Sequence, residues 1–196
     1  LGQMTPDLVY GCLAQALPDQ VPAEGASCMY DLPLRHAAGA EDRGEQLFAL
    51  ELVFNGGTGA RPDRDGLSTT AFPSGVRTTP TEINEVTAPL IIWKREYEPN
   101  SGGVGQFVGG AGQRIEVSHA DDQPFWISRM FDRVVHPARG RSGGQSGALG
   151  WVGLASGKAF SGKGKDRVPA GDRLVMVTPG GGGFGAATGA DNRQAE

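Results

Sequence analysis

The sequence predicts an α+β domain that is mainly β, with one N-terminal helix followed by a glycine-rich, multi-stranded sheet that is antiparallel or mixed. Three observations support this fold class. Short apolar runs recur along the chain, and clusters of turn residues separate them, with 32 glycines and 13 prolines among 196 residues. Only one segment has the apolar spacing of a helix. The clustering of glycine between apolar runs favours a folded chain over a disordered one, and the lack of a three-residue glycine period excludes collagen.

The N-terminal helix is predicted over residues 5–17, "TPDLVYGCLAQAL". Thr5 can cap it, Pro6 suits the first helical position, and Asp7 suits the positive helix end. Pro18 ends the helix. One apolar face, expected to be buried, is formed by Leu8, Cys12, Leu13 and Ala16.

Strands are predicted wherever an apolar run lies between turn clusters. These segments are 46–55, 89–99, 113–120, 123–131, 151–160 and 173–178. Asp121 and Asp122 separate two of them, which predicts a hairpin at that point. The stretch 68–86 contains two proline breaks and no helical stripe longer than a turn or two. The basic stretch 157–167 is expected to be an exposed hairpin rather than a polyanion site.

Charge and cysteine content exclude several function classes. A net charge of −4 gives no support to nucleic-acid binding. No apolar run is as long as the roughly 18 residues of a membrane span. Cys12 and Cys28 make neither a disulfide scaffold nor a metal quartet, so we expect two reduced structural cysteines, with Cys12 in the core. This cysteine usage predicts a cytoplasmic protein.

The stretch "RLVMVTPGGGGFG", residues 173–185, contains G-x-G-x-x-G at Gly180, Gly182 and Gly185 directly after a predicted strand. A dinucleotide-binding turn requires a following helix, a second strand and an acidic residue about 20 positions on. Only 11 residues follow Gly185, so there is no room for these elements. The glycines therefore predict a close backbone crossing rather than a nucleotide site.

Other catalytic signatures are absent from the sequence. No Gly-Lys pair precedes Ser or Thr, which excludes a phosphate loop. The pattern G-x-S-x-G occurs at residues 140–144, but in the predicted loop GRSGGQSGALG and not at the strand-to-helix turn that a nucleophile elbow requires. His36, His119 and His136 are too scattered for a metal set. His119 near Asp121 has the right residue types for a metal, but the predicted hairpin tip makes an ordinary turn the preferred interpretation, and no metal site is expected on this chain.

Two polar segments are candidate site loops. In "GGTGARPDRDG", residues 56–66, the Arg61 guanidinium can clamp a carboxylate or phosphate, and the Asp65 carboxylate can act as a base or ligand. In "TTPTEINE", residues 78–85, Glu82 and Glu85 are three apart and share a face if the segment is helical. Solvated loops with internal Arg–Asp pairs remain the alternative for both segments.

The order of motifs resembles the C-terminal part of the hydantoinase B/oxoprolinase family. These motifs are "FNGGTGARPDRDG", "TTPTEINE", "PLIIWKREYEPNSGGVGQFVGGAGQRIEV", "SGGQSG" and "AGDRLVMVTPGGGGFG". Together they extend the resemblance over about residues 5–185. The resemblance implies ATP-dependent hydrolysis of a cyclic amide, as by 5-oxoprolinase or N-methylhydantoinase. ATP would be bound by a hydantoinase A-type partner, and a divalent metal by the N-terminal part of the B-type subunit, so none is expected on this chain alone.

The resemblance also implies a domain organisation and a role for the two polar loops. The chain is either a single domain or a C-terminal fragment of a larger B-type subunit. Residues 1–20 would form a helix from the upstream part, 45–185 the β-rich body and 186–196 a loosely held tail. Arg61, Asp65, Glu82 and Glu85 would close over a site built mainly by the rest of the subunit. An acetone-type carboxylase subunit and a non-catalytic assembly module are the alternatives.

Overall fold

Two four-stranded antiparallel sheets form the body of the protein in the computed structural model, which describes residues 2–27, 29–37, 39–44 and 46–187. The strands are β1 Tyr30–His36, β2 Ala49–Phe54, β3 Leu90–Tyr97, β4 Gln113–His119, β5 Phe125–Met130, β6 Trp151–Leu154, β7 Lys163–Val168 and β8 Leu174–Val177. The first sheet has the strand order β2-β1-β5-β7 and the second β3-β4-β8-β6. The described helices are α1, Thr5–Leu13, and α2, Thr81–Thr87, with 3-10 turns at Gly2–Met4 and Glu41–Arg43. The predicted α+β, mainly β class is confirmed.

One apolar core lies between the two sheets. Tyr30, Leu32 and Leu34, which alternate along β1, face this core. From the second sheet, Ile115 and Met176 enter the same core. The two sheets therefore bury one face each against the other, which explains why their apolar runs are visible in the sequence.

Two strands were not predicted, and each has a composition that hides it. In β1 the sequence YDLPLRH contains a proline and four charged or titratable side chains. In β7 the sequence KGKDRV is mostly charged because this strand lies at the edge of its sheet and only Val168 is buried. The predicted basic hairpin is therefore only partly correct: Lys158 folds back on β6, where its carbonyl accepts from Leu154 N at 2.8 Å, and the rest of the stretch is β7.

The hairpin predicted around Asp121 and Asp122 is wrong. β4 pairs with β3 and β8, whereas β5 pairs with β1 and β7 in the other sheet. The chain turns at Asp122, in the left-handed region with φ of 53°, and crosses from one sheet to the other. β4 and β5, which are consecutive in the sequence, thus lie in opposite sheets on either side of the core and do not hydrogen-bond to each other as a pair.

Helix α1 begins where it was predicted, but it presents the opposite face to the protein. Thr5 is the first residue of the helix and Met4, rather than Thr5, is its N-cap; the helix ends at Leu13, before Pro18. Leu8 is 70% exposed and Cys12 is exposed, so the prediction of a buried apolar face with Cys12 in the core is wrong. The residues turned inward are polar, because they meet the cavity described below.

The extended segment 179–185, here called the central segment, is surrounded by four other glycine-containing segments. From Gly180 to Phe184 its backbone N–H groups donate in turn to segments 139–148, 101–112 and 22–27 and then again to 139–148 and 101–112, whereas Gly185 N donates to Arg141 O at 3.0 Å, in segment 139–148. The bonds are Gly180 N to Ala148 O, Gly181 N to Gly110 O, Gly182 N to Glu24 O, Gly183 N to Gln145 O and Phe184 N to Phe107 O. A repeat of three residues is that of a polyproline II helix, not of a sheet ladder.

Glycine is required in this segment because the backbones touch. A Cβ at Gly181 would overlap the Thr58 carbonyl oxygen, and one at Gly180 would overlap that of Ser101. The fourth neighbour, segment 55–60, donates to the central segment through Ala60 N, 2.9 Å from Gly182 O. The sequence prediction of close backbone crossing is therefore correct, although the segment has several neighbours rather than one.

Further predictions concern membrane crossing, the C-terminal tail and Cys28. In the described parts of the chain, neither α1 nor α2 has the length and apolar character needed to cross a membrane. The predicted loose tail, 186–196, lies outside the described residues except for Ala186 and Ala187. Cys28 also lies outside the described residues.

Candidate functional site

The loop 56–66 follows β2 and is held rigidly by its own polar groups. Arg61 Nη2 donates to the Asp65 carbonyl at 2.7 Å, which closes the loop on itself. Asp65 Oδ1 accepts from Val108 N at 2.7 Å, which ties the loop to segment 101–112. Asp63 and Arg64 form an exposed ion pair outside this closure, at 2.6 Å. The structure thus brings Arg61 and Asp65 together, with the Asp65 carboxylate engaged by backbone.

Glu82 and Glu85 lie on α2, so the condition that this segment turns helical is met. Glu85 Oε1 accepts from Ile92 N at 2.7 Å and thereby connects the helix to the start of β3. Glu82 is exposed on the helix surface. Neither glutamate lines the cavity on which Arg61 lies, so the structure does not unite the four predicted site residues in one place.

A cavity of about 290 Å³ lies between α1 and the glycine segments. Its polar lining includes Gln3, Asp7, Asn55 and Arg61. Its apolar lining includes Ala26, Met29, Leu67, Ala71 and Phe72. A concave, mostly apolar space with a few converging polar groups is the usual form of a small-molecule site.

Asp7 lies on the cavity wall, and the pKa of its carboxyl is shifted from the ordinary value. Its Oδ2 accepts from the Ser27 hydroxyl and from Arg133 Nη2, the latter at 3.2 Å. Burial raises the pKa of Asp7 to about 6; the charge of Arg133 opposes this shift and that of Glu24 adds to it. Ser27 has a φ of 60°, a left-handed conformation that costs a non-glycine residue energy. A strained backbone at Ser27 and a shifted pKa of the Asp7 carboxyl on the same wall are features typical of functional sites.

Glu24 forms ion pairs with Arg133 and Arg139 next to the wall that carries Asp7. Glu24 Oε2 accepts from Arg133 Nη1 at 3.1 Å, and its Oε1 accepts from Arg139 Nε at 2.8 Å. Burial alone would raise the pKa of Glu24, but the hydrogen bonds from Arg139 and the charge of Arg133 lower it below its ordinary value. Arg133 is therefore shared by two carboxylates, Asp7 and Glu24.

Three polar atoms of the cavity residues are buried and have no hydrogen-bond partner among the described residues. They are Gln3 Oε1, Asn55 Oδ1 and Arg61 Nε. Leaving such a group unsatisfied costs about 1–3 kcal/mol, so a native structure normally gives it a partner. Each of these atoms belongs to a residue that lines the cavity, but the atoms themselves are closed off from it.

Sequence reasoning missed Asp7, Ser27, Asn55 and Arg133 as site residues. Asp7 was interpreted only as a favourable charge at the helix N-terminus. Asn55 lies in the motif FNGGTGARPDRDG but was not singled out, and Ser27 and Arg133 fell in segments without a motif. The structure joins them across more than 100 positions, since Asp7 and Arg133 are 126 residues apart. No local spacing signals such a contact.

The described residues do not fit a metal ion. No group of three or more His, Cys, Asp or Glu with the arrangement of a metal site occurs among them. Within the one cluster considered in the sequence, His119 Nδ1 accepts from Asp121 N at 3.1 Å, which is a local turn contact. No step of the chemistry proposed below passes through a metal on this chain.

Comparison with known proteins identifies the family. The family model described as hydantoinase B/oxoprolinase matches residues 1–187. The 5-oxoprolinase 1 of Arabidopsis thaliana is 34% identical over 148 residues, or 73% of this chain and 12% of the relative. The 5-oxoprolinase of Dictyostelium discoideum is 30% identical over 147 residues, or 72% of this chain and 12% of the relative.

Two solved structures share the fold. A nucleotide-free acetone carboxylase, from work on ATP-dependent acetone carboxylation, superposes with a TM-score of 0.66 at 20% identity, covering 88% of this chain and 28% of that one. The ATP-dependent caprolactamase of Pseudomonas jessenii gives 0.66 at 21% identity, covering 89% and 32%. The chain thus spans about an eighth of the 5-oxoprolinases and less than a third of the two solved chains.

Proposed function

The chain belongs to the hydantoinase B/oxoprolinase family, and we propose on that premise that it forms part of an ATP-dependent hydrolase of cyclic amides. The observation that carries this proposal is the match over residues 1–187 together with 5-oxoprolinases that are 30% or more identical. The specific type proposed is that of 5-oxoprolinase or N-methylhydantoinase.

The proposal divides the chemistry among polypeptides. A hydantoinase A-type partner binds ATP and phosphorylates the amide oxygen of the substrate, which turns a poor electrophile into a good one. The remainder of the B-type subunit holds the divalent metal that the family implies, because the described residues of this chain have no ligand set for it. This chain would contribute a substrate-facing wall rather than the nucleotide or metal centre.

Arg61 is the described residue of this chain that we propose to act on the substrate. It lies on the cavity wall, its Nε is buried without a partner, and Asp65 fixes its loop through Val108. Asp65 is therefore proposed as a positioning residue for Arg61. Glu82 and Glu85, on α2, are proposed to face the rest of the subunit, as the sequence interpretation has it.

The test is ATP-dependent turnover by the complete B-type subunit reconstituted with its A-type partner. Release of ADP is measured with 5-oxoproline, hydantoin, a lactam, and a ketone with bicarbonate. The proposal expects a cyclic amide to stimulate ADP release and to be hydrolysed. Stimulation by the ketone alone, with carboxylation, would instead identify the acetone-type alternative.

Substitutions in the loop 56–66 test the role of this chain. Arg61→Ala is expected to lower kcat/KM at least about tenfold, which corresponds to about 1.4 kcal/mol of lost transition-state stabilisation. Arg64→Ala is the matched control, because Arg64 lies in the same loop but its guanidinium pairs with Asp63 in solvent. Equal turnover of both variants and the wild type would remove Arg61 from the mechanism.

A non-catalytic assembly module is the second candidate, and one observation favours it. The carboxylates of Asp65 and Glu85 both accept from backbone N–H groups, those of Val108 and Ile92. Such bonds hold loops in place and leave these groups less available for catalysis. The module is supported if loop variants retain turnover while Asp65→Ala weakens assembly with the partner in size-exclusion chromatography.

A further inference from the structure

The Ser27 hydroxyl and the Asp7 carboxylate lie next to each other, and both residues line the cavity between α1 and the glycine segments. Ser27 Oγ donates to Asp7 Oδ2, and the Gly25 carbonyl oxygen lies 3.1 Å away as a second acceptor. Ser27 is partly exposed, and the Asp7 side chain is 13% exposed. A hydroxyl within hydrogen-bond reach of a carboxylate that is not fully buried meets the first requirement for a nucleophile with its own base.

Arg133 holds this pair of side chains in place. Its Nη2 donates to Asp7 Oδ2 at 3.2 Å and to Ser27 Oγ at 3.3 Å. Its Nη1 donates to Glu24 Oε2 at 3.1 Å, so the guanidinium is fixed between two carboxylates and orients the base in turn. The positive charge beside Ser27 Oγ also favours the negative charge that develops on this oxygen when its proton leaves.

The protonation state of Asp7 suits a base at neutral pH. Burial raises the pKa of its carboxyl to about 6, the charge of Arg133 opposes this shift, and that of Glu24 adds to it. At pH 7 the carboxyl is therefore largely ionised, yet it is a stronger base than an ordinary aspartate. A general base is most effective when its pKa lies close to the working pH.

The backbone of Ser27 is strained in a way that is common at reactive groups. Its φ of 60° lies in the left-handed region, which glycine adopts more easily than serine. Such strain persists where the surrounding structure enforces it, and it is concentrated at active sites. Strain alone does not make a site, because Ser142 has a φ of 51° but is exposed in segment 139–148 and does not line the cavity.

The cavity wall near Ser27 favours a small, neutral molecule. Its apolar lining includes Tyr10, Ala26, Met29 and Phe72, and its volume of about 290 Å³ excludes a large ligand. Among acyl compounds, an ester fits the weak base best, because an alkoxide or phenolate leaves an acyl carbon more readily than the amine of an amide does.

We propose that Ser27 is a nucleophile and Asp7 its general base, and that this pair hydrolyses small apolar carboxylic esters in the cavity. Ser27 Oγ forms a bond to the ester carbonyl carbon and gives its proton to Asp7 Oδ2. The bond from that carbon to the alcohol oxygen then breaks, and the departing oxygen takes the proton from Asp7. Arg133 is a positioning residue for Asp7.

A water molecule completes the cycle. It adds to the acyl carbon and gives a proton to Asp7, and the bond to Ser27 Oγ breaks as this oxygen regains that proton. The net reaction converts an ester and water into a carboxylic acid and an alcohol, and it consumes no other reactant. This activity goes beyond the proposed hydrolysis of cyclic amides and does not depend on it.

The test is hydrolysis of p-nitrophenyl acetate by the 196-residue chain, measured as the total p-nitrophenol released. We expect saturable hydrolysis whose kcat/KM rises between pH 5 and pH 7 with a midpoint at about 6, because only the ionised Asp7 accepts the proton. Phenylmethanesulfonyl fluoride, from whose sulfur Ser27 Oγ displaces fluoride, should stop this hydrolysis. Mass spectrometry of the digested chain should then locate the sulfonyl group on Ser27.

Variants separate the reaction from the fold. Ser27→Gly removes the hydroxyl and suits the φ of 60°, so it should abolish the saturable hydrolysis and keep the circular-dichroism spectrum of the wild type. Ser142→Gly is the matched control, because it removes the other strained serine, and it should hydrolyse the ester like the wild type. Asp7→Asn has nearly the same shape and should lower kcat/KM at least about 100-fold.

Arg133 is tested by the pH profile rather than by the rate. Its charge opposes the upward shift of the Asp7 pKa, so Arg133→Gln should move the midpoint of the kcat/KM profile to a higher pH than in the wild type. An unchanged midpoint would remove Arg133 as the residue that positions Asp7.

Each outcome supports or overturns the proposal. It is overturned by the absence of saturable hydrolysis, by hydrolysis that Ser27→Gly or Asp7→Asn leaves unchanged, or by a sulfonyl group on another residue. Hydrolysis that is lost in Ser27→Gly and kept in Ser142→Gly supports it, even if the reconstituted assembly hydrolyses no cyclic amide. If Asp7→Asn or Arg133→Gln does not fold, the wild-type pH profile and the two serine variants decide.

Discussion

Between the two sheets, side chains fill the space that separates the backbones, whereas around the central segment the backbones fill it themselves. Leu32 and Ile115 are fully buried between strands of opposite sheets. Gly181 has no side chain, and its N–H and C=O bond to Gly110 and Gly103 at 2.9 and 2.8 Å. Both regions satisfy their backbone groups, but only the first can exclude water with apolar side chains.

The difference determines how each region responds to mutation. A core between sheets loses stability when a side chain becomes smaller, because burial is lost and a void remains. A bundle of glycine segments loses stability when a side chain is added, because rigid neighbouring backbones cannot move apart without breaking several hydrogen bonds. The loops of the candidate cavity depend on the second region, since segment 55–60 is one of its members.

Gly181→Ala is expected to have the largest effect. The added Cβ would overlap the carbonyl of Thr58, which is backbone and not a flexible side chain. We expect the free energy of unfolding to fall by at least about 4 kcal/mol, or no folded protein to form. Urea denaturation of the purified chain measures this loss.

Gly11→Ala is the matched control for that substitution. Gly11 lies in α1 with open space around a Cβ. Alanine is a better helix former than glycine, so stability should be unchanged or should rise by up to about 1 kcal/mol. A loss below about 1 kcal/mol for Gly181→Ala would contradict the rigid packing of the central segment.

Leu32→Ala tests the other side of the comparison. Leu32 is fully buried in the core, and the substitution should lower the free energy of unfolding by about 3 kcal/mol, through lost burial and a residual void. Leu8→Ala, on the exposed side of α1, should change it by less than about 0.5 kcal/mol. If Leu8→Ala lowered the free energy of unfolding as much as Leu32→Ala does, Leu8 would have to be buried, which contradicts its exposure in the structure.

The two regions also differ in how far the sequence predicts them. Side-chain patterns identify strands that face the core, so β2, β3, β4, β5, β6 and β8 were all predicted. The pattern fails for β7, an edge strand with little buried surface, and for β1, where Pro33 interrupts it. Glycine clusters predict close backbone contact, but a residue without a side chain does not encode which neighbour it meets. The pairing of the central segment therefore could not be predicted.

Acidity tests one place where a side chain lies beside the glycine segments, the Asp7 carboxyl. The pKa of Asp7 is raised from 3.8 to about 6 in the folded state. Between pH 3.8 and about pH 6, Asp7 is therefore protonated in the folded state and ionised in the unfolded state. The stability from this proton is complete below pH 3.8 and is lost as the pH rises through about 6. The free energy of unfolding of the wild type relative to Asp7→Asn should fall by on the order of 2 kcal/mol from pH 4 to pH 7.

Subtracting the free energy of unfolding of Asp7→Asn from that of the wild type separates the contribution of Asp7 from those of other groups that titrate in the same pH range. The pKa of Asp31 is also raised to about 6, by burial and by Glu51, but Asp31 is present in both proteins and cancels. The groups that face Asp7 are Arg133, Glu24 and Ser27. A difference independent of pH between 4 and 7 would show that Asp7 is solvated like an ordinary carboxylate.

The candidate site shows the same limit of sequence prediction in another form. Arg61 was named as a candidate because a cation among glycines is a local pattern. Asp7 and Asn55 were not found, because their significance arises from burial against segments far along the chain. The positions of Glu82 and Glu85 on one short helix were anticipated, yet their spacing could not indicate that Glu85 bonds to Ile92.

The smallest expected effect comes from these two glutamates, which form a matched pair at the edge of the second sheet. Glu85→Ala removes the acceptor for Ile92 N and should cost about 1 kcal/mol, reduced by solvent exposure, whereas Glu82→Ala should stay within about 0.5 kcal/mol of the wild type. Glu85→Gln keeps an acceptor oxygen and should recover most of the loss in urea denaturation. If Glu85→Gln recovers stability but the reconstituted assembly loses turnover, the carboxylate charge itself acts in catalysis. If both recover, α2 joins the sheets as structural support, and Arg61 in the loop between β2 and α2 is left as the one described residue of the predicted four with a direct position on the cavity.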